Sequence, residues 1–168
     1  MYILKIATDW AKDEMFSTTF FILFGVMFLF ASVWFWQLGK TELAKAYVTP
    51  TLVAGILLLI IGFGLFCANK SRVASFTNAY NKDATAFVKS EIQRTESTLK
   101  EYRTVVFKAI PLIIVAAALV LIFINTPMWR AISITTIAML IVILFIDGNA
   151  HARIDTYSKQ LHQVANET

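Results

Sequence analysis

Residues 109–146 read AIPLIIVAAALVLIFINTPMWRAISITTIAMLIVILFI, and Arg130 is the one charged residue among them. A hydrocarbon slab about 30 Å thick asks for uninterrupted apolar runs of this kind. Two are present, 109–126 and 131–146, parted only by Pro127-Met128-Trp129-Arg130. So short a connection sends the chain back the way it came. The two runs are therefore read as an antiparallel pair of transmembrane helices.

Working towards the N-terminus, two more runs carry no Asp, Glu, Lys or Arg: 16–37 and 50–68. The first opens with Ser17, Thr18 and Thr19, each a residue type that caps helix starts. The second begins at Pro50, a favoured first-turn residue, and continues through Leu52, Ile56, Leu59 and Phe63 to Ala68. The first run is not read as a cleaved signal peptide, because Asp9, Asp13 and Glu14 precede it and no small-x-small site follows. A chain that is 58% hydrophobic and 15% charged has too much apolar surface for a water-soluble fold of 168 residues. The fold class expected is all-α: a single polytopic membrane domain, 1–168, of four transmembrane helices.

The fifteen Lys and Arg residues set a direction. Two precede the first run, eight lie between the second and third, and two follow the fourth, so twelve share one side and only Lys40, Lys45 and Arg130 the other. The positive-inside rule makes the rich side cytoplasmic, with both termini there, in a plasma (inner) membrane. Trp34, Trp36, Tyr47 and Trp129 then gather at the outer interface, where amphipathic rings favour the headgroup level. The net charge of +4 is read as basic residues held at lipid headgroups, with no nucleic-acid partner expected. Ahead of the first run, Ile3, Ile6 and Trp10 stand at helical spacing, which suits a stretch lying along the inner membrane surface.

Between the second and third runs, 69–108 contains no Gly or Pro. A structureless loop that long is unusual, so a cytoplasmic helical hairpin is expected. Val88, Ile92, Thr95, Leu99, Tyr102 and Val106 follow a spacing of four and three that puts them on one seam of a helix, with Glu96 and Lys100 as an ion pair elsewhere on it. Val73, Phe76 and Tyr80 form the facing stripe. Val88, Ile92, Leu99, Tyr102 and Val106 are the candidate interaction seam, whether packed within the hairpin or against another chain. A polar helix, 147–168, ends the chain. Its Asn149-x3-Arg153-x3-Tyr157 faintly echoes Asn69-x2-Arg72-x3-Phe76, a match short enough to be chance.

Residues able to do chemistry are few. His151 and His162, eleven apart on the last helix, stand about three turns from each other and are read as solvated surface residues. Cys67 is alone, so no disulfide or cysteine metal cluster is expected, and no cofactor or metal site follows from any spacing. Asp147-Gly148-Asn149-Ala150-His151-Ala152-Arg153 resembles the Asp-Gly-x-x-Ala-Arg opening of the CDP-alcohol phosphotransferases, a resemblance that implies metal-binding aspartates beside a lipid substrate. It is one residue too long between Gly148 and Ala152, and no Asp follows Asp155 to supply further ligands. A metal of that kind needs several oxygens in fixed geometry, so Asp147-Gly148 is read as a helix stop at the headgroups. Within the runs, Ser133, Thr135 and Thr136, with Asn125 beside them, are read as interhelical glue. Gly55 and Gly62, with Ala116, Ala117 and Ala118, offer surfaces for close helix approach.

The expectation is a non-enzymatic membrane protein that acts through protein contacts of its cytoplasmic helices and spans, of the scaffold or immunity type. Its partners would be the lipid bilayer and either another protein or a second copy. A homo-oligomeric channel or pore is the alternative, since spans without buried charge can line a path at subunit interfaces. A membrane-embedded enzyme comes third.

Overall fold

The computed structural model describes residues 2–167, and the architecture is all-helical. In chain order the elements are α1 (Tyr2–Leu38), α2 (Glu42–Ala46), α3 (Val48–Lys82), α4 (Ala84–Glu101), a π-helical segment (Tyr102–Ala109), α5 (Ile110–Phe123) and α6 (Pro127–Glu167). Four of the resulting rods are long and apolar enough to cross a membrane. At 37 residues α1 alone is roughly 55 Å long, well beyond the roughly 30 Å of a bilayer's apolar core. Each rod therefore has an apolar half and a polar extension, and the extensions meet at one end of the bundle. The expected runs 16–37, 50–68 and 131–146 lie inside these rods, and 109–126 does as far as Phe123; Thr168, the last residue of the expected polar helix, and Met1 lie outside the described residues.

Several expected boundaries move. Ser17, Thr18 and Thr19 cap nothing, because α1 runs through them from Tyr2; the Thr18 hydroxyl instead donates to the Met15 carbonyl at 2.7 Å. The stretch holding Ile3, Ile6 and Trp10 does not lie apart on a membrane surface but is the first part of α1, with Trp10 buried. Asp147-Gly148 does not stop α6, which continues to Glu167. Thr126 caps that helix, its hydroxyl accepting from Trp129 N at 3.4 Å, while its carbonyl accepts from Arg130 N at 3.0 Å. Pro127 opens α6, where its missing N–H costs nothing, so the connection is Ile124–Thr126 and not 127–130. Asp83, the break between α3 and α4, caps α4 by accepting from Ala86 N at 2.9 Å.

Pro111 accounts for the irregularity in the third rod. It stands in the first turn of α5 and lacks the N–H that would close an α-helical bond to Phe107. The wider π spacing of Tyr102–Ala109 lies immediately before it.

In the apolar half, α1 and α3 pack along much of their length. A Cβ on Gly55 would come within 2.9 Å of the Gly25 carbonyl oxygen, and one on Gly62 within 3.0 Å of the Ile22 nitrogen. The close approach of Gly55 and Gly62 is thus to α1, with Gly25 as counterpart, and not to Ala116–Ala118. Ser32 adds a bond across the same pair, its hydroxyl donating to the Val48 carbonyl at 2.8 Å. Phe21, Leu58 and Ile146 form a small buried core here. Of α5 only Ile110 is buried.

Candidate functional site

The polar extensions of α1, α3, α4 and α6 close on a second and larger core: Ala7, Trp10, Ala11, Phe76, Phe87, Ile154, Tyr157 and Leu161. Phe87 packs edge-to-face with Phe76 and Tyr80, at centroid distances of 5.4 and 5.8 Å, which joins the end of α3 to the start of α4.

Charged groups are built into this core. Trp10 of α1 stacks on Tyr157 of α6, centroids 5.1 Å apart and planes 10° from parallel. The Arg94 guanidinium lies 4.4 Å from the Trp10 ring centroid. Arg94 also grips Glu91 through two bonds, Nε to Oε1 at 3.0 Å and Nη2 to Oε2 at 2.6 Å. The Tyr157 hydroxyl donates to Glu91 Oε2 at 2.9 Å. Three helices are tied by one carboxylate, one guanidinium and two rings. Burying Glu91 would be prohibitive for a bare carboxylate; a bidentate cation and a phenol make it tolerable. Burial, followed by the Glu91 charge, raises the Tyr157 phenol above its ordinary range, so it remains a donor.

Closer to the apolar half a second ion pair crosses the bundle, Arg153 Nε donating to Glu14 Oε1 at 3.2 Å. Burial raises the Glu14 carboxyl while Arg153 opposes the shift. Together with Asn69, Arg72, Arg94, Tyr102 and Asp147, Glu14 lines an internal chamber of about 210 Å³. Arg72 donates to Asn69 Oδ1 at 2.7 Å. Burial, then the nearby Arg94 charge, lowers its affinity for its proton. Asp147, just past the fourth apolar run, is pushed up to about 6 by burial and then by Glu14. Trp10 Nε1 and Arg153 Nη2 are buried donors without a partner among the described residues.

Of the expected seam, Val106 is buried, while Val88, Ile92, Leu99 and Tyr102 are half-buried against the larger core. The fully buried positions of α4 are Phe87, Glu91 and Thr95, a face turned slightly from the apolar spacing. Thr95 meets Ser158 of α6 at 3.2 Å. Glu91 escaped sequence reasoning because an acidic side chain reads as a solvated one; its signal was Arg94 three residues on. Glu96 pairs not with Lys100 but with His162, at 3.1 Å. His151 is no free surface residue either: its ring packs edge-to-face with Tyr102 and Phe107, centroids 5.6 and 5.0 Å away, and its Nε2 is buried without a partner among the described residues. Both corrections arise because α6 folds back along α4 and the π-helical segment, a pairing no local pattern announces. Ser133 and Thr135 are buried, and the Thr135 hydroxyl has no partner among the described residues. No group of three or more His, Cys, Asp and Glu among the described residues converges as metal ligands would.

At the tip farthest from the apolar half, Ile3, Val88, Lys89 and Ile92 line a groove of about 280 Å³ that is mostly apolar. Set against known protein families, curated proteins and solved structures, the chain finds no match.

Proposed function

We propose that this is a non-enzymatic integral membrane protein that acts through protein contacts at the polar end of its bundle, with that end and both termini in the cytoplasm. The observation that carries the reading is the apolar groove at the tip, where Val88 and Ile92 of the seam stand beside the exposed Lys89. Apolar surface far from the lipid-facing runs has no membrane to cover it, and a protein surface is the usual cover. The twelve-to-three split of basic residues supports the orientation.

A photocrosslinking side chain at position 89, activated in native membranes, tests the contact. A discrete protein adduct is expected, lost in a Val88→Glu background. No adduct, or one indifferent to Val88→Glu, overturns the reading. For the orientation, a fluorescent-protein fusion after Glu167 should be bright and an alkaline-phosphatase fusion inactive.

Self-association within the membrane is the second reading, favoured by α5. With only Ile110 buried, α5 packs on α6 along one side and leaves Leu112, Ile113, Val115, Leu119, Ile122 and Phe123 exposed in a single chain. A mass of more than one chain for the purified protein in nanodiscs would support it.

A further inference from the structure

The chamber between the four polar extensions has charges left over once its internal pairs are counted. Glu91 neutralises Arg94, and Glu14 neutralises Arg153. Three lining groups then stand without an ion pair of their own among the described residues: Arg72, whose only side-chain hydrogen bond is to the neutral Asn69, and Asp147 and Glu101, whose carboxylates have no hydrogen bond or ion pair there. No ion pair or hydrogen bond joins Arg72 to Asp147 among the described residues. The charges that act on Arg72 are those of Arg94, Glu91 and Glu14, and the charge that acts on Asp147 is that of Glu14. One wall, on α3, thus offers a cation with Arg94 near it, and another, on α6, offers an anion.

The chamber also stands where a headgroup stands. Asp147 directly follows the fourth apolar run and Arg72 lies four residues beyond the second. Leu65, which is 40% exposed, forms part of the same lining, so one side of the chamber borders the lipid-facing surface. Trp10, more than nine-tenths buried, is in the lining too, and its Nε1–H lacks an acceptor among the described residues. A volume of about 210 Å³ suits a small polar group; drug-sized ligands occupy roughly 300–1,000 Å³.

We propose that this chamber binds a zwitterionic phosphate–amine group of the phosphoethanolamine kind, its phosphate received by Arg72 with Arg94 beside it and its ammonium by Asp147. Guanidinium groups match phosphate oxygens with paired donors, and an ammonium supplies the donors that the lone carboxylate lacks. A purely anionic headgroup would satisfy Arg72 but would stand against Asp147, Glu14 and Glu101 in the same chamber.

The test is a titration of the purified full chain, followed by native mass spectrometry, with phosphatidylethanolamine and phosphatidylglycerol of identical acyl chains. Phosphatidylethanolamine should bind about tenfold tighter, the worth of one charge-assisted contact. Asp147→Asn should abolish that preference, weakening phosphatidylethanolamine and relieving the repulsion on phosphatidylglycerol, whereas Arg72→Gln should weaken both lipids. Free phosphoethanolamine and inorganic phosphate are added as competitors. Displacement by free phosphoethanolamine alone identifies the headgroup as sufficient; retention of lipid against it identifies a phospholipid as the ligand; either supports the site. Equal binding of the two lipids, as waters filling the chamber would give, overturns the proposal. So does a preference that survives Asp147→Asn. Should that variant lose its helical fold, the wild-type preference decides by itself.

Discussion

The same four rods are held together in two different ways along their length. In the apolar half the contact between α1 and α3 is one of backbones: Gly25 against Gly55, Gly62 against Ile22, and a serine bonded to a carbonyl. In the polar half the contact is one of large side chains, Trp10 on Tyr157, Phe87 on Phe76, and Arg94 and Glu91 closing the gaps. The difference follows from the solvent outside. Lipid tails are as apolar as leucine, so helices there gain little from hiding apolar area and must approach closely. Outside the lipid, water restores the gain from burial, and the larger core forms there.

The comparison breaks first at Trp10. Trp10→Ala removes the ring shared by Tyr157 and Arg94 and should cost about 3–5 kcal/mol, read as a lowered unfolding transition of the polar half, while the four rods still insert. If insertion failed, the two halves would not be separable as described. Next comes Gly55→Leu. A side chain there meets the Gly25 carbonyl, which cannot swing aside, and a loss of about 3 kcal/mol is expected, at the upper end for overpacking. A disulfide between cysteines placed on α1 and α3 near this level should form less readily in that variant. If Gly55→Leu were silent, side-chain packing and not backbone approach would hold the apolar half.

Tyr157→Phe sharpens the polar half. It keeps the stack on Trp10 and deletes one bond to Glu91, which Arg94 still neutralises. A loss of about 1.5 kcal/mol is expected, the lower end for a bond to a charged group. Loss as large as that of Trp10→Ala would mean that the buried carboxylate, and not the aromatic stack, organises the bundle.

A more gradual effect should come from Asp147. Its carboxyl titrates at about 6 in the folded chain against an ordinary 3.8, so the folded state holds the proton more tightly. The sign is that of an acid raised on folding: its contribution to stability is greatest in acid and is lost as pH rises from about 4 through 6. Asp147→Asn should flatten thermal stability over that window; an unchanged slope would mean the carboxylate is better solvated than its burial implies. The smallest effect belongs to Gly148→Ala. A Cβ there meets nothing within 4 Å and the residue lies inside α6, so a gain of roughly 0.5–1 kcal/mol is expected. A loss would restore the helix stop that the sequence suggested.

Four runs without charge were enough to predict four helices long and apolar enough to cross a membrane, because hydrocarbon tolerates no other arrangement of a chain's backbone than helices or a closed barrel. The absence of Gly and Pro from 69–108 was enough to make that segment helical. Sequence also put Val88, Ile92, Leu99, Tyr102 and Val106 on one side of one helix. What it left open was which neighbour that side meets. Glu14 lies 139 residues from Arg153 and Glu91 lies 66 from Tyr157, and no local period links them. Each of those acids, read alone, belongs in water; only the convergence of α1, α4 and α6 supplies the cation and the phenol that let it be buried. The hydrophobic pattern therefore determined the rods, which depend on solvent and on neighbours within a few residues. The chamber and its unpaired Arg72 and Asp147 depend on how the rods lean together, and that was decided by the tertiary packing.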